Sequence, residues 1–341
     1  MSSTIKNRSI VLAVRPTGVP GNDCWSEVSG PVQGVAEGEV MVRVIYVSID
    51  PAMRGWITDQ ASYLSPVAIG GTMRALGIGQ VVESRNKDYV EGDYVSGMLG
   101  VQDYATLTPD ASLLKVDPAL APLPTQLGLL GMPGMTAYFG LLEVGQPKAG
   151  ETLLVSGAAG AVGALVGQIA KIHGMRVVGV AGGKEKCDFL INNLGFDAAI
   201  DYKSEPDLSE AVQRTCPEGI NLFFDNVGGD ILAAAIKNLA HASRIVICGA
   251  ISQYNTADTV KAEVDYIPIL YSSSSLQGFV VLDYASRYGE AVVALKQWMT
   301  DGLVRPHEDI REGLENFPET LNALFTGKHF GKLILKLSAS N

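Results

Sequence analysis

A short apolar run, a glycine-rich turn and an apolar helix follow one another in the middle of the chain. The run is Thr152–Ser156, the turn is Gly157–Gly163 (GAAGAVG), and a helix is predicted over Ala164–His173. This order is typical of the dinucleotide-binding unit of a parallel α/β sheet. Gly160 would let the backbone approach a pyrophosphate, and Gly163 would let the helix lie against the sheet.

The fit to the usual G-x-G-x-x-G pattern is incomplete, because Ala158 stands at its first position. A purely structural glycine-rich turn is the alternative interpretation. The flanking strand and helix favour the dinucleotide, since a helix N-terminus offers free N–H groups and a partial positive charge to an anion.

Strands alternate with helices after this turn, which predicts a doubly wound parallel sheet. The predicted strands are Arg176–Val180, Ala198–Ile200, Leu222–Asp225 and Arg244–Gly249. Short β-segments broken by Gly and Pro precede it, among them Val40–Val47, Ile78–Glu83 and Tyr94–Met98, and predict a barrel-like β-domain. The α/β chain therefore divides into a β-domain (1–125), a dinucleotide-binding domain (126–300) and a C-terminal segment (301–341) that returns to the first domain.

The residues at the end of the second strand of this unit distinguish NAD from NADP. Folds specific for NAD place Asp or Glu there, whereas NADP needs a cation and no carboxylate. The strand ends at Val180 and is followed by AGGKEK, with Lys184 and Lys186 and with Glu185 beyond the tip. An ordinary solvated helix start is the alternative, but cations at a helix N-terminus oppose its dipole and indicate a bound anion. NADP(H) is favoured.

Composition excludes several classes of function. With 341 residues and a net charge of −10, the chain is long enough for two domains and too acidic for nucleic acid as its main partner. The spacing of the four cysteines, with no C-x-x-C or H-E-x-x-H, predicts no metal site. A polar N-terminus and the lack of a long apolar run predict a cytoplasmic protein without a membrane span.

Further motifs extend along nearly the whole chain, in the order SIDPAMR (48–54), MPGMTAY (132–138), residues 151–182, FDNVGG (224–229), CGAISQYN (248–255) and GFVV (278–281). In these motifs the chain resembles the zinc-independent branch of the medium-chain dehydrogenase/reductase superfamily that contains the alkenal double-bond reductases. The resemblance implies a GroES-like β-domain joined to a Rossmann domain, with the active site between them and NADP(H) as cofactor.

The resemblance also implies a set of cofactor contacts. Residues Gly160, Ala161, Val162 and Gly163 would touch the pyrophosphate, and Lys186 and Tyr202 would hold the 2′-phosphate. Asn226 and a loop would contact the adenosine and nicotinamide sides, and the loop consists of Cys248, Gly249, Ala250, Ile251, Ser252, Gln253 and Tyr254. Phe279, Val280 and Val281 would offer backbone groups to the carboxamide, and His329 stands where the family has an asparagine phosphate contact.

The expected chemistry is reduction of the carbon–carbon double bond of an α,β-unsaturated ketone or aldehyde, with hydride going to the β-carbon. The cofactor carries the hydride, and the enolate needs a hydrogen-bond donor. Tyr254 is the first candidate for orienter or donor and Tyr63 the second; a half-exposed structural tyrosine is the alternative for each. The common family motif DPYMR reads DPAMR here. Because Ala52 replaces the tyrosine of that motif, the substrates of better-known members do not identify the substrate of this chain.

Two other functions remain open from the sequence. A quinone reductase of the same superfamily and a non-catalytic NADPH-binding sensor would both keep the cofactor motifs. The resemblance also implies a homodimer in which edge strands of the Rossmann sheets pair. Arg54 could pair with a carboxylate between the domains or with solvent, and no catalytic role is predicted for it.

Overall fold

A computed structural model describes residues 6–59, 64–256 and 264–338 of the chain. Its strands are β1 (Lys6–Leu12), β2 (Trp25–Pro31), β3 (Val40–Ser48), β4 (Leu76–Ser84), β5 (Tyr94–Met98), β6 (Tyr104–Leu107), β7 (Leu114–Lys115), β8 (Thr152–Ser156), β9 (Arg176–Ala181), β10 (Ala198–Asp201), β11 (Ile220–Asp225), β12 (Leu239–Ile247), β13 (Ser275–Gly278), β14 (Glu308–Glu312) and β15 (Lys332–Lys336). Its α-helices are α1 (Met53–Trp56), α2 (Leu123–Leu127), α3 (Met132–Phe139), α4 (Ala161–Ile172), α5 (Lys184–Asn192), α6 (Leu208–Thr215), α7 (Gly229–Lys237), α8 (Ile267–Tyr271), α9 (Tyr288–Thr300) and α10 (Phe317–Thr326).

The first sheet has seven strands in the order β14-β15-β3-β4-β5-β7, with β6 also paired to β3. Strands β1 and β2 form a separate antiparallel pair. The central strand β3 is covered on both faces, since eight of its nine residues are buried. Its second face is covered because Leu123 and Leu127 of α2 pack on Ile45 and Tyr46.

The second sheet has six parallel strands in the order β10-β9-β8-β11-β12-β13. Two separate apolar cores lie against it, one around Leu153, Val155 and Val177 and the other around Leu154 and Val178. Successive residues of one strand thus enter different cores, as expected for a sheet with helices on both faces. The predicted doubly wound parallel sheet is confirmed.

The chain end lies in the first sheet, where β15 pairs antiparallel with β3 and parallel with β14. Residues 331–332 connect both sheets, since Gly331 N–H donates to the carbonyl oxygen of Ala159 (2.8 Å) just after β8. The domain boundaries at residues 125 and 300 remain a prediction. Within the described ranges, none of the helices combines the length and apolar character needed to cross a membrane.

Candidate active site

The glycine-rich turn lies between the carboxyl end of β8 and the start of α4. Gly157 has a φ of +58°, a left-handed conformation that favours glycine. Gly160 precedes the first residue of α4, so the free N–H groups of that helix begin directly at the turn. A Cβ on Gly163 would collide with the carbonyl oxygen of Gly157, so the helix can approach the turn this closely only without a side chain there. The turn is therefore shaped as an anion site.

The strand order reverses between β8 and β11, which is where doubly wound sheets bind their ligands. Asp225 is fully buried at the end of β11 and accepts hydrogen bonds from Ser156 Oγ (2.6 Å) and the N–H of Gly228 (3.0 Å). Asn226 follows it and donates from Nδ2 to the carbonyl oxygen of Ser156 (2.8 Å). This network fixes Asn226 at the crevice between the two strands.

The loop after β12 folds over the end of β11. The N–H groups of Cys248 and Gly249 donate to the carbonyl oxygen of Asp225, and Ile251 N–H donates to that of Asn226. Burial raises the pKa of the Cys248 thiol to about 12, and the charge of Asp225 adds to this effect. The thiol is thus neutral at physiological pH and lacks the thiolate that a nucleophile needs.

Tyr254 closes this loop. Its hydroxyl oxygen accepts a hydrogen bond from Ala250 N–H (3.2 Å), and its side chain is 36% exposed. Ser252 hydrogen-bonds through its own N–H (3.2 Å) and Oγ (2.6 Å) to the carbonyl oxygen of Val227. The structure therefore brings Asn226 and the loop through Tyr254 together at one edge of the sheet.

Two lysines lie together at the far end of the crevice. Burial lowers the pKa of Lys186, and the positive charge of Lys203 lowers it further. Gly182 has no side chain, and the Tyr202 ring and Lys203 occupy the space where one would stand, each about 2.8 Å from an added Cβ. Asp201 ends β10, and its Oδ1 accepts hydrogen bonds from the N–H groups of Gly183 (2.7 Å) and Lys203 (3.1 Å). The two positive charges therefore meet where β9 and β10 end.

Lys184 does not belong to this pair. Its side chain is exposed and its Nζ pairs with Asp188 one helical turn later (2.5 Å). Of the two lysines that the sequence pointed to, the structure therefore brings only Lys186 close to Lys203.

Comparisons with known proteins agree with this geometry. Two family models match, the N-terminal domain of oxidoreductase over residues 8–116 and zinc-binding dehydrogenase over residues 161–297. The chain is 42% identical over 342 residues to the NADPH-dependent curcumin reductase of Escherichia coli, with 98% of each chain covered. It is 39% identical over 342 residues to the 2-alkenal reductase (NADP(+)-dependent) of Nicotiana tabacum, with 99% of each covered. The crystal structure of CurA in complex with NADPH from Vibrio vulnificus has a TM-score of 0.92 at 39% identity, over 98% of this chain and 100% of that one.

The chain belongs to the zinc-independent alkenal reductase branch of the medium-chain dehydrogenase/reductases. As a member of this branch it is an NADP-dependent oxidoreductase, and the prediction of NADP(H) as cofactor is confirmed. In the described part of this reductase, no group of three or more His, Cys, Asp or Glu side chains could hold a metal ion.

The C-terminal segment of this reductase reaches Lys186. Lys186 Nζ lies 5.3 Å from the centre of the Phe330 ring, and His329 Nδ1 lies 3.1 Å from the carbonyl oxygen of Ala323. Burial lowers the pKa of His329 to about 4, and the charge of Lys186 contributes. His329 is therefore close to Lys186 but neutral at physiological pH.

Residues 279–281 lie at the end of edge strand β13. The Phe279 ring packs edge-on against Phe224, with ring centres 6.4 Å apart. The carbonyl oxygens of Val280 and Val281 already accept one hydrogen bond each, from Asp283 N–H and Tyr288 Oη (both 3.1 Å). Their predicted role toward the carboxamide remains a prediction.

The other predictions have mixed outcomes. Tyr63 lies outside the described residues. Ala52 is half-buried and packs against the core of the first sheet directly before α1. Sequence reasoning missed Lys203, which lies two residues after the end of β10. The parallel pairing of β9 with β10 places the ends of both strands at one edge. Among the residues that the structure describes, Arg54 has no carboxylate partner; it is 3% exposed and hydrogen-bonds to Asn255.

Proposed function

We propose that this reductase reduces the carbon–carbon double bond of α,β-unsaturated ketones or aldehydes and transfers hydride from NADPH to the β-carbon. The position of Tyr254 carries the proposal: its hydroxyl lies on the loop that covers the crevice, within 3.2 Å of Ala250 N. Relatives named as curcumin reductase and 2-alkenal reductase support this substrate class.

The cofactor would lie along the edge where β8, β9 and β11 end. We assign the pyrophosphate to the turn Gly160–Gly163 and the 2′-phosphate to Lys186, Lys203 and Tyr202, with His329 beside them. Asn226 and the loop from Cys248 to Tyr254 would contact the adenosine and nicotinamide sides. The partly desolvated Lys186 lies beside the exposed Lys203, and this supports the phosphate assignment, since an anion offsets the repulsion between the two charges.

The chemistry follows from the charge that develops on the substrate. NADPH supplies a hydride, hence two electrons, to the β-carbon; the C=C π bond breaks, and its electrons form an enolate. The enolate oxygen needs a donor, and a tyrosine hydroxyl can both accept and donate a hydrogen bond. Tyr254 serves as this donor or orients the substrate, and the α-carbon takes a proton from solvent. Tyr63 is the second candidate for contact with the substrate.

A substrate panel tests the proposal. Purified enzyme with NADPH is offered alkenals, enones and quinones, and loss of NADPH absorbance is followed together with product analysis. We expect saturated ketones or aldehydes from the first two groups. Turnover of quinones alone would instead make the chain a quinone reductase. Tight NADPH binding without turnover of any activated alkene would favour the sensor function.

The edge of the parallel sheet supports a second part of the proposal, a homodimer. Strand β13 pairs only with β12 in the described sheet, and its four residues are exposed. Seven large apolar side chains in this region are between 36% and 81% exposed: Tyr266, Ile267, Leu270, Tyr271, Leu276, Val280 and Leu282. An uncovered apolar edge strand is an aggregation hazard unless another chain covers it. Pairing of two β13 strands would join the two six-stranded sheets.

Sedimentation of variants tests the dimer. Leu276→Lys places a charge on β13, and we expect it to shift the protein from dimer to monomer at micromolar concentration. Leu303→Lys is the matched control, because Leu303 is similarly exposed but lies outside this edge. A monomeric wild-type protein would contradict the assembly without affecting the proposed reaction.

A further inference from the structure

Arg54 is a buried cation with no carboxylate partner in the described part of the chain. It is 3% exposed in α1, and burial lowers its pKa. Nε donates to Asn255 Oδ1 (2.9 Å) and Nη2 donates to the carbonyl oxygen of Gly18 (3.0 Å). Nη1 is buried and has no hydrogen-bond partner among the described residues. Burial of a charge without an opposite charge beside it is unfavourable for folding. We therefore look for the role of Arg54 in the two hydrogen bonds that its guanidinium donates.

These contacts join three distant segments of the chain. Gly18 lies in the loop between β1 and β2, Arg54 lies in α1, and Asn255 directly follows Tyr254 at the end of the cofactor loop. The loop and the turn also touch, because a Cβ on Gly18 would lie 3.8 Å from the carbonyl oxygen of Asn255. Arg54 therefore links the loop between β1 and β2 to the turn that carries Tyr254.

Lys332 holds the residues that directly precede α1. Lys332 is 3% exposed, and its Nζ donates to the carbonyl oxygen of Ile49 (2.9 Å) and pairs with Asp50 Oδ1 (2.7 Å). Its neighbour Gly331 hydrogen-bonds to Ala159 in the glycine-rich turn. The segment from Ile49 to Arg54 thus connects the glycine-rich turn, through residues 331–332, with the Tyr254 turn, through Arg54.

We propose that Arg54 is a positioning residue for the reaction, which holds the Tyr254–Asn255 turn at a fixed distance from α1 and so places the Tyr254 hydroxyl in the cleft. This inference rests on the proposed function. The turn is closed internally by the Ala250–Tyr254 hydrogen bond, but its placement relative to the substrate side depends on the Arg54 contact. A shift of about 1 Å in a reacting group can lower the rate by about 10²-fold.

Two substitutions of Asn255 test the contact with little risk to folding, because Asn255 is half-buried at the end of a loop. Asn255→Ala removes the acceptor, and we expect kcat for an enone to fall about tenfold while KM for NADPH stays within about twofold. Asn255→Asp keeps an oxygen acceptor and should restore at least half of the wild-type kcat. Equal kcat in all three proteins would overturn the proposal.

A double-mutant cycle shows whether Arg54 acts through Tyr254. Arg54→Met should lower kcat about as much as Asn255→Ala, but in a Tyr254→Phe background it should lower kcat by less than about twofold. Losses that multiply would mean that Arg54 acts independently, which contradicts the proposal. Arg43→Met is the matched control: this half-buried arginine also has an unpartnered nitrogen, but it lies on β3 and contacts Gln80. Its kcat should equal that of wild type.

Amide hydrogen exchange gives a readout that does not need turnover. Exchange over residues 248–256 should become faster in Arg54→Met and Asn255→Ala and stay unchanged in Arg43→Met. Unchanged exchange in the first two variants would overturn the positioning role even if enones are reduced. If exchange becomes faster in these variants but the wild-type protein reduces no enone, the Arg54 contact does hold the turn in place, and it is the proposed function that is wrong.

Discussion

Lys186 Nζ lies 5.3 Å from the centre of the Phe330 ring, so a lysine of the parallel sheet is held by an aromatic residue of the C-terminal segment. The contact covers one side of the ammonium group and contributes to the burial that lowers its pKa. A lysine that is partly desolvated before it meets an anion gains more from that anion than a solvated one. The segment after α10 thereby helps to shape the surroundings of Lys186.

The first prediction concerns cofactor specificity. Lys186→Ala should raise KM for NADPH about tenfold, equivalent to 1.4 kcal/mol of lost contact, and leave KM for NADH nearly unchanged. Lys203→Ala should act in the same direction because the two charges face one site. Lys184→Ala is the control, since Lys184 pairs with Asp188 and is exposed. Equal effects on both cofactors would show that Lys186 does not read the phosphate.

The second prediction concerns Tyr254. Tyr254→Phe removes the hydroxyl and should lower kcat for an enone by about 10²-fold, the usual loss when one oxyanion donor is removed. Binding of NADPH, followed by fluorescence titration, should change little because the ring and the loop stay in place. A variant with wild-type kcat would show that the ribose hydroxyl or another group supplies the donor.

The third prediction concerns Gly163. Gly163→Ala places a methyl group against the carbonyl oxygen of Gly157, so the turn or α4 must shift. We expect a loss of about 1–3 kcal/mol in the free energy of unfolding and weaker NADPH binding. The control Gly289→Ala lies in α9 with no heavy atom near its added Cβ, and it should be neutral or slightly stabilising. Unfolding in urea, with and without NADPH, measures both effects.

The fourth prediction concerns pH. The folded pKa of His329 is about 4 and its ordinary value is 6.5, so between these values the unfolded chain binds more protons at this position. Stability from His329 is fully present above pH 6.5 and is lost as the pH falls toward 4, by at most about 3 kcal/mol. His329→Asn cannot take up this proton. The urea midpoint of wild type should therefore fall more than that of the variant between pH 7 and pH 4.5, and parallel curves would contradict the burial of a neutral histidine.

Local sequence patterns predicted the elements that lie between clear turn signals. The predicted strands Tyr94–Met98 and Thr152–Ser156 have the bounds of β5 and β8. Both are short apolar or alternating runs with turn residues on each side, so each boundary is set by neighbours in sequence. The helix α9 and the edge strand β13 were missed; the residues of β13 are exposed and give no apolar period to read.

The sequence by itself determined the parallel sheet, the dinucleotide turn and the choice of NADP(H), because strand, glycine and charge signals act within a few residues. Only the tertiary structure decided which charges meet. It paired Lys186 with Lys203 rather than with Lys184, and it buried Arg54 against Asn255, 201 residues later in the chain. These contacts depend on the pairing and packing of distant strands and loops. A local sequence pattern does not indicate which distant residue a side chain will contact.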